Sequence, residues 1–129
     1  MYLGNFIKNL NEKYRKTYFS GVAFDSNQVK KDNIFFAIKG SKFDGNKYIF
    51  DAINNGSKII VSKKIIKHKN KNIIFLRVDN PRKLLAEISF KLIKKKPNNL
   101  IAVTGTNGKS SVANFYYQIL SLNNKNSAT

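Results

Sequence analysis

The chain has no cysteine and no tryptophan, one histidine, one methionine and two prolines in 129 residues. Without cysteine there is neither a disulfide framework nor a thiolate metal site, which suits a reducing compartment. His68 sits among Lys67, Lys69 and Asn70 and reads as a solvated loop position rather than a catalytic or metal-binding one. No apolar stretch approaches the ~18–20 residues needed to cross a bilayer. Met1-Tyr2-Leu3-Gly4-Asn5-Phe6-Ile7-Lys8 lacks the charged, apolar and small-residue order of a secretory signal. The expectation is a cytoplasmic protein with no membrane partner.

Acidic residues are scarce: seven, against 24 basic ones, for a formal charge of +17. Such a field attracts polyanions. Yet 21 of the bases are Lys and only three are Arg, the residue favoured for base-edge readout and stacking. The lysines run along the whole chain, with short clusters at Lys63-Lys64 and Lys94-Lys95-Lys96. Together with the many Asn and Ile residues, this reads as compositional drift with solvated Lys faces. A basic nucleic-acid-binding module is the competing class, and no nucleic-acid partner is expected.

Chemistry is concentrated in Gly105-Thr106-Asn107-Gly108-Lys109-Ser110-Ser111. These residues follow the apolar run Leu100-Ile101-Ala102-Val103 and precede a segment with helical periodicity over 110–122. A strand, a glycine turn and a helix N-terminus in that order present backbone N–H groups and a partial positive charge to a phosphate. Lys109 would reach the β- and γ-phosphates of a nucleoside triphosphate, and the Ser110 hydroxyl suits a Mg²⁺ ligand. The general rule asks for another glycine five residues before Gly108, where this chain has Val103. Gly105 takes over the turn in a shorter spacing.

The remainder alternates between strands and helices, which indicates an α/β fold. Strands are expected at 20–24, 33–38, 58–62 and 72–78, and helices at 5–16, 47–54 and from Asp79-Asn80-Pro81-Arg82 to about Lys95. Asn80 is placed to cap the last of these and Pro81 to open it; Gly56 marks the end of the second. Pro97 suggests a boundary between 1–96 and 97–129. One strand, loop and helix cannot bury both strand faces, so the second part reads as the start of a truncated domain.

The whole pattern resembles the Mur ligases, ATP-dependent enzymes that add amino acids to the peptidoglycan precursor. The resemblance rests on Thr104 through Ser111, on Asp25-Ser26-Asn27, on Asp32-Asn33-Ile34-Phe35-Phe36-Ala37-Ile38-Lys39-Gly40 and on Phe43-Asp44-Gly45, with Ala52 and Gly56. It implies a small N-terminal α/β domain binding a uridine nucleotide, then the first strand, phosphate loop and helix of a central ATP-binding α/β domain. The MurE type, which adds the third residue, fits better than the MurF type, which adds D-alanyl-D-alanine. The Phe-Asp-Gly segment and the N-terminal unit argue against a folylpolyglutamate synthase.

The implied substrates are UDP-MurNAc-L-Ala-D-Glu and meso-diaminopimelate or another third amino acid, joined through an acyl phosphate with ATP and Mg²⁺, with Lys109 as the catalytic cation. Gly105, Thr106, Asn107, Gly108, Lys109, Ser110 and Ser111 would bind ATP, and Ser110 the metal. Ser26, Ser41 and Lys42 would bind the UDP-sugar, although Asp25 and Ser26 also suit a simple Asx-type turn. Asn27 stands where the family usually has Arg. Asp79-Asn80-Pro81-Arg82 matches the letters of a diaminopimelate motif that in the family follows the ATP loop; here it precedes the loop and counts only as a helix start. The 129 residues alone are expected to have no ligase turnover, and the full-length form to be monomeric.

Overall fold

A computed structural model of the chain describes residues 1–66 and 70–127, so the expectation for His68 lies outside the described residues. The residues divide into two compact units, Met1–Lys94 and Lys95–Thr129.

Four short strands organise the first unit: β1 (Gly21–Ala23), β2 (Asn33–Ala37), β3 (Ile59–Ser62) and β4 (Ile74–Arg77). They lie in the order β1-β2-β3-β4, and every neighbouring pair is parallel. Successive side chains of a strand point to opposite faces, so β2 divides its apolar residues between two cores. Ile34 and Phe36 join Leu3, Ile7, Phe19, Ile59, Val61, Leu76 and Ile88 on one face. Phe35 and Ala37 join Ala23, Val29, Ile49, Ala52 and Ile60 on the other. Burial on both faces is why β2 and β3 read as continuous apolar runs rather than alternating ones.

The helices cover these faces as their apolar spacing dictates. α2 (Ile49–Asn54) contributes Ile49 and Ala52 to the second core and is followed by Gly56, at φ 103°. α3 (Pro81–Leu92) begins where expected: Asn80 Oδ1 accepts from the Lys83 N–H at 2.9 Å, and Pro81 occupies the first turn. Its Ile88 is fully buried in the first core.

The expected helix over 5–16 is not continuous. A 3₁₀ turn at Leu3–Asn5 and a single-turn helix, α1 (Glu12–Arg15), replace it. Asn9 between them takes φ 55°, a left-handed conformation that asparagine tolerates and a helix does not. Asn11 then caps α1, accepting from the Lys13 N–H at 3.1 Å. The break lets the segment wrap back on the unit, with Leu3 N–H donating to Thr17 O at 3.0 Å and the N-terminal ammonium donating to Phe19 O at 2.8 Å.

In the second unit α4 (Lys109–Leu122) forms as expected. The apolar run before it does not form a strand: residues 100–104 carry no sheet ladder among the described residues, and Leu100 is 80% exposed. A strand needs a neighbour to pair its N–H and C=O groups, and 95–127 holds no other strand.

Candidate functional site

The glycine loop turns because two of its glycines adopt positive-φ torsions that residues with a side chain rarely take. Gly105 has φ 154° and Gly108 has φ 74°. An added Cβ at Gly108 would meet nothing within 4 Å, so the requirement there is torsional rather than spatial. Gly108 is the N-cap of α4 and offers no side chain to the helix end. The N–H of Val112 donates to Gly108 O at 2.9 Å, the first bond of the helix. The N–H groups of Lys109, Ser110 and Ser111 precede it, in the turn that has no helical acceptor. No acidic residue occupies this turn, so nothing there competes with an anion.

Lys109 folds back over the loop. Its Nζ donates to Gly105 O at 2.5 Å and to Thr106 O at 3.2 Å. The ammonium is thereby held against the backbone of the loop while the residue stays exposed. Thr106, Asn107, Ser110 and Ser111 are all exposed along the same stretch. The arrangement can accept a polyphosphate, with Lys109 exchanging carbonyl oxygens for phosphate oxygens.

A second candidate site lies within Met1–Lys94, outside the carboxyl ends of β1 and β2. A cleft of about 490 Å³ is lined by Phe24, Asp25, Ser26, Asn27, Ile38, Gly40, Phe43, Gly45 and Tyr48. Such a position is where open parallel sheets hold ligands, because the strands end and the loops diverge there. Asp25 Oδ1 accepts from the Asn27 N–H at 3.0 Å and caps the 3₁₀ turn Ser26–Gln28. The Asx-turn therefore forms, and Ser26, only 6% exposed, also lines the cleft. Ser41 and Lys42 are exposed between Gly40 and Phe43; those two line the cleft and Ser41 and Lys42 do not.

Phe24, Ile38 and Tyr48 were not among the site residues expected from sequence. Phe24 and Phe43 are 65% and 73% exposed, large aromatics facing solvent at a cleft mouth. An aromatic residue immediately after the buried end of β1 was the available signal.

The far wall is fixed by a close approach. A Cβ on Gly45 would lie 2.8 Å from both Ile38 N and Ile38 O, so only glycine lets the wall sit against the end of β2. Beside it, Asp44 Oδ1 accepts from the Asn46 side chain and backbone at 2.5 and 3.0 Å. These bonds hold the Asp44 carboxyl below the usual carboxylate range. The hydrogen bond from Lys58, at 2.8 Å, does the same for Asp32.

A carboxyl whose folded pKa is depressed adds stability above its unfolded pKa, about 3.9, and loses it as pH falls through the folded value. The melting temperature of the chain is therefore expected to drop as pH falls below about 4. A double Asp32→Asn, Asp44→Asn variant should show a flatter profile there in a thermal-melt series.

Comparison with known proteins decides the family. Residues 18–91, more than half of the chain, match the model described as Mur ligase family, catalytic domain. The chain belongs to the Mur ligase family. That match takes in the sheet and the cleft but stops before the glycine loop.

Among Mur ligase relatives, the UDP-N-acetylmuramoyl-L-alanyl-D-glutamate–2,6-diaminopimelate ligase of Rickettsia prowazekii is 42% identical over 122 residues, covering 93% of this chain and 25% of the relative. The enzyme of that name from Clostridium tetani is 44% identical over 94 residues, covering 70% of this chain and 19% of its own length. The chain thus spans about a quarter or less of the curated relatives it matches.

Solved Mur ligase structures share the fold. A UDP-N-acetylmuramoyl-L-alanyl-D-glutamate–2,6-diaminopimelate ligase superposes with a TM-score of 0.68 at 22% identity, covering 89% of this chain and 24% of its own. The MurF ligase of Thermotoga maritima, in complex with ADP, gives 0.59 at 24% identity, covering 78% and 23%. Among the described residues no helix is long and apolar enough to cross a membrane.

Proposed function

We propose that this chain supplies the uridine-nucleotide site and the ATP phosphate loop of a ligase that adds diaminopimelate to UDP-MurNAc-L-Ala-D-Glu. The observation that carries the reading is the 42% identity to the diaminopimelate ligase of R. prowazekii, over a span that takes in both the cleft and the loop. Residues 1–96 act as the UDP-sugar domain and 97–129 as the opening of the ATP domain.

The uridine nucleotide enters the cleft between Ser26 and the wall made by Ile38, Gly40, Phe43, Gly45 and Tyr48. The exposed aromatic rings there suit a planar base, and Ser26 supplies a hydroxyl beside it. Ser41 and Lys42, on the exposed loop next to the wall, meet the more distal anionic part. At the other site the N–H groups of Asn107, Gly108 and Lys109 cradle the β-phosphate, with Thr106 and Ser111 offering hydroxyls. Lys109 moves from the Gly105 and Thr106 carbonyls to the β- and γ-phosphates. There it offsets the charge that develops as the D-glutamyl carboxylate attacks the γ-phosphorus, giving an acyl phosphate and ADP. The amine of diaminopimelate then displaces phosphate to form the amide.

The residues present fit Mg²⁺ through a single hydroxyl of this segment. Residues 95–129 contain no Asp or Glu, and no group of three metal-ligating side chains occurs among the described residues. Ser110 is the oxygen donor placed to hold it, with the phosphates supplying others. When bound, Mg²⁺ neutralises phosphate charge and orients the γ-phosphoryl group.

Calorimetric titration of the chain tests the reading. It predicts saturable binding of UDP-MurNAc-L-Ala-D-Glu and, separately, of ATP with Mg²⁺, both persisting at 0.15 M salt. Duplex DNA that binds tightly at low salt and competes with ATP would instead favour the basic nucleic-acid module.

A further inference from the structure

The wall of the cleft is a loop closed on itself. Gly45 N–H donates to Ile38 O at 2.9 Å and Gly40 N–H to Phe43 O at 2.7 Å, while Lys39 and Asp44 form an antiparallel bridge. The loop ends in the 3₁₀ turn Gly45–Tyr48, capped by Asp44, which brings both Gly45 and Tyr48 to the cleft.

One side-chain relay fastens this wall to the sheet. Asn46 Nδ2 donates to Asp44 Oδ1 at 2.5 Å, and Asn46 Oδ1 accepts from Ser62 Oγ at 2.8 Å. Ser62 Oγ accepts in turn from the Lys64 N–H at 3.0 Å. Ser62 is the last residue of β3, 3% exposed, and paired with Ala37 on one side and Arg77 on the other. It is therefore a rigid anchor, fixed by two ladders.

The chemistry of the relay permits one arrangement. A carboxylate only accepts, so the Asn46 amide must turn its NH₂ toward Asp44 and its oxygen toward Ser62. The single hydroxyl proton of Ser62 is then committed to Asn46, and its lone pair to Lys64 N–H. Neither Asn46 nor Ser62 lines the cleft.

We propose that Asn46 and Ser62 are a pair of positioning residues, which tether the cleft wall to the carboxyl end of β3 and so set the width of the nucleotide site. The role rests on the reading that a uridine nucleotide occupies the cleft. Removing the tether leaves every contact residue unsubstituted but lets Gly45, Tyr48 and Phe43 drift as one body, so binding weakens although no lining side chain has been changed.

The test titrates UDP-MurNAc-L-Ala-D-Glu into the 129-residue chain and its Ser62→Ala, Asn46→Ala, doubly substituted and Val61→Ala forms. Each tether variant is expected to raise Kd about 5-fold, the scale of one hydrogen bond. The double variant should lose less than the product of the two single losses, because the shared Asn46–Ser62 bond can be lost only once. Val61, the neighbouring buried residue on the opposite core, controls for stability: Val61→Ala should lower the melting temperature and leave Kd unchanged. Unchanged Kd in both single variants, or losses that multiply in the double, would overturn the pairing while leaving the uridine reading intact. Failure of the unsubstituted chain to bind would overturn that reading and this one with it.

Discussion

Lys109→Ala is expected to weaken ATP binding by roughly 10–150-fold, the range for loss of charged hydrogen bonds, while the first unit should melt where it did before. The reason lies in what the ammonium touches. Among the described residues it bonds to Gly105 O and Thr106 O, both exposed and able to turn to water when the side chain is removed. No core residue depends on it. On the proposed reading the same cation would face the β- and γ-phosphates of ATP, and its loss would leave their charge unmatched beside a helix end that offsets only part of it. Lys109→Arg is not a conservative control, since the planar fork does not reproduce a point charge on a short loop. A thermal melt and an ATP titration on the same preparation separate the two effects. Loss of the fold together with binding would contradict the assignment.

Phe36→Ala is expected to destabilise the Met1–Lys94 unit by about 3–5 kcal/mol, on the scale measured for deleting a large aromatic from a packed core. Phe36 is fully buried in β2, paired with Val61 and packed in the cluster that includes Phe19, Ile34, Ile59 and Ile88. Both flanking strands and α3 hold the surrounding residues, so the space cannot collapse easily. At about 5 °C per kcal/mol for a domain of this size, the melting temperature falls on the order of 15–25 °C. Phe43→Ala is the contrast: that ring is largely exposed, and its removal should change stability by less than about 0.5 kcal/mol. Melts of the two variants against the parent chain measure both.

Much of this architecture was legible in the sequence, because local chemistry and tertiary context agreed. The runs at β2 and β3 are continuous and apolar because both faces of a parallel strand are covered, and their lengths excluded helices. Asn80-Pro81 marks a helix start by a mechanism that needs no tertiary information, and Asn80 makes the expected capping bond. The glycine loop carried its own signature in Gly105, Gly108 and Lys109.

Where context overrides local pattern, the sequence misled. Phe6, Ile7, Leu10 and Tyr14 have helical spacing, yet Asn9 in a left-handed conformation breaks the run and the segment wraps around the core. Leu100-Ile101-Ala102-Val103 has strand composition, but strand formation requires a partner that composition cannot supply. The cleft shows the same division. Asp25-Ser26 was visible as a motif, whereas Tyr48 and Ile38 reach the cleft only because Gly45 packs against the end of β2. The Asn46–Ser62 bond joins residues 16 apart and depends on the register of β3 beside β2, which no spacing rule reveals.

The central claim is that two ligands occupy two separate places on this chain: a uridine nucleotide outside β1 and β2, and a triphosphate on the loop before α4. Amide chemical-shift mapping with each ligand in turn tests it most directly. UDP-MurNAc-L-Ala-D-Glu should move the signals of Ser26, Gly40, Phe43, Gly45 and Tyr48, and ATP with Mg²⁺ those of Gly105, Asn107, Gly108, Lys109 and Ser110. One shared set of shifts scattered over the lysine-rich surface, or none at either place, would contradict the account.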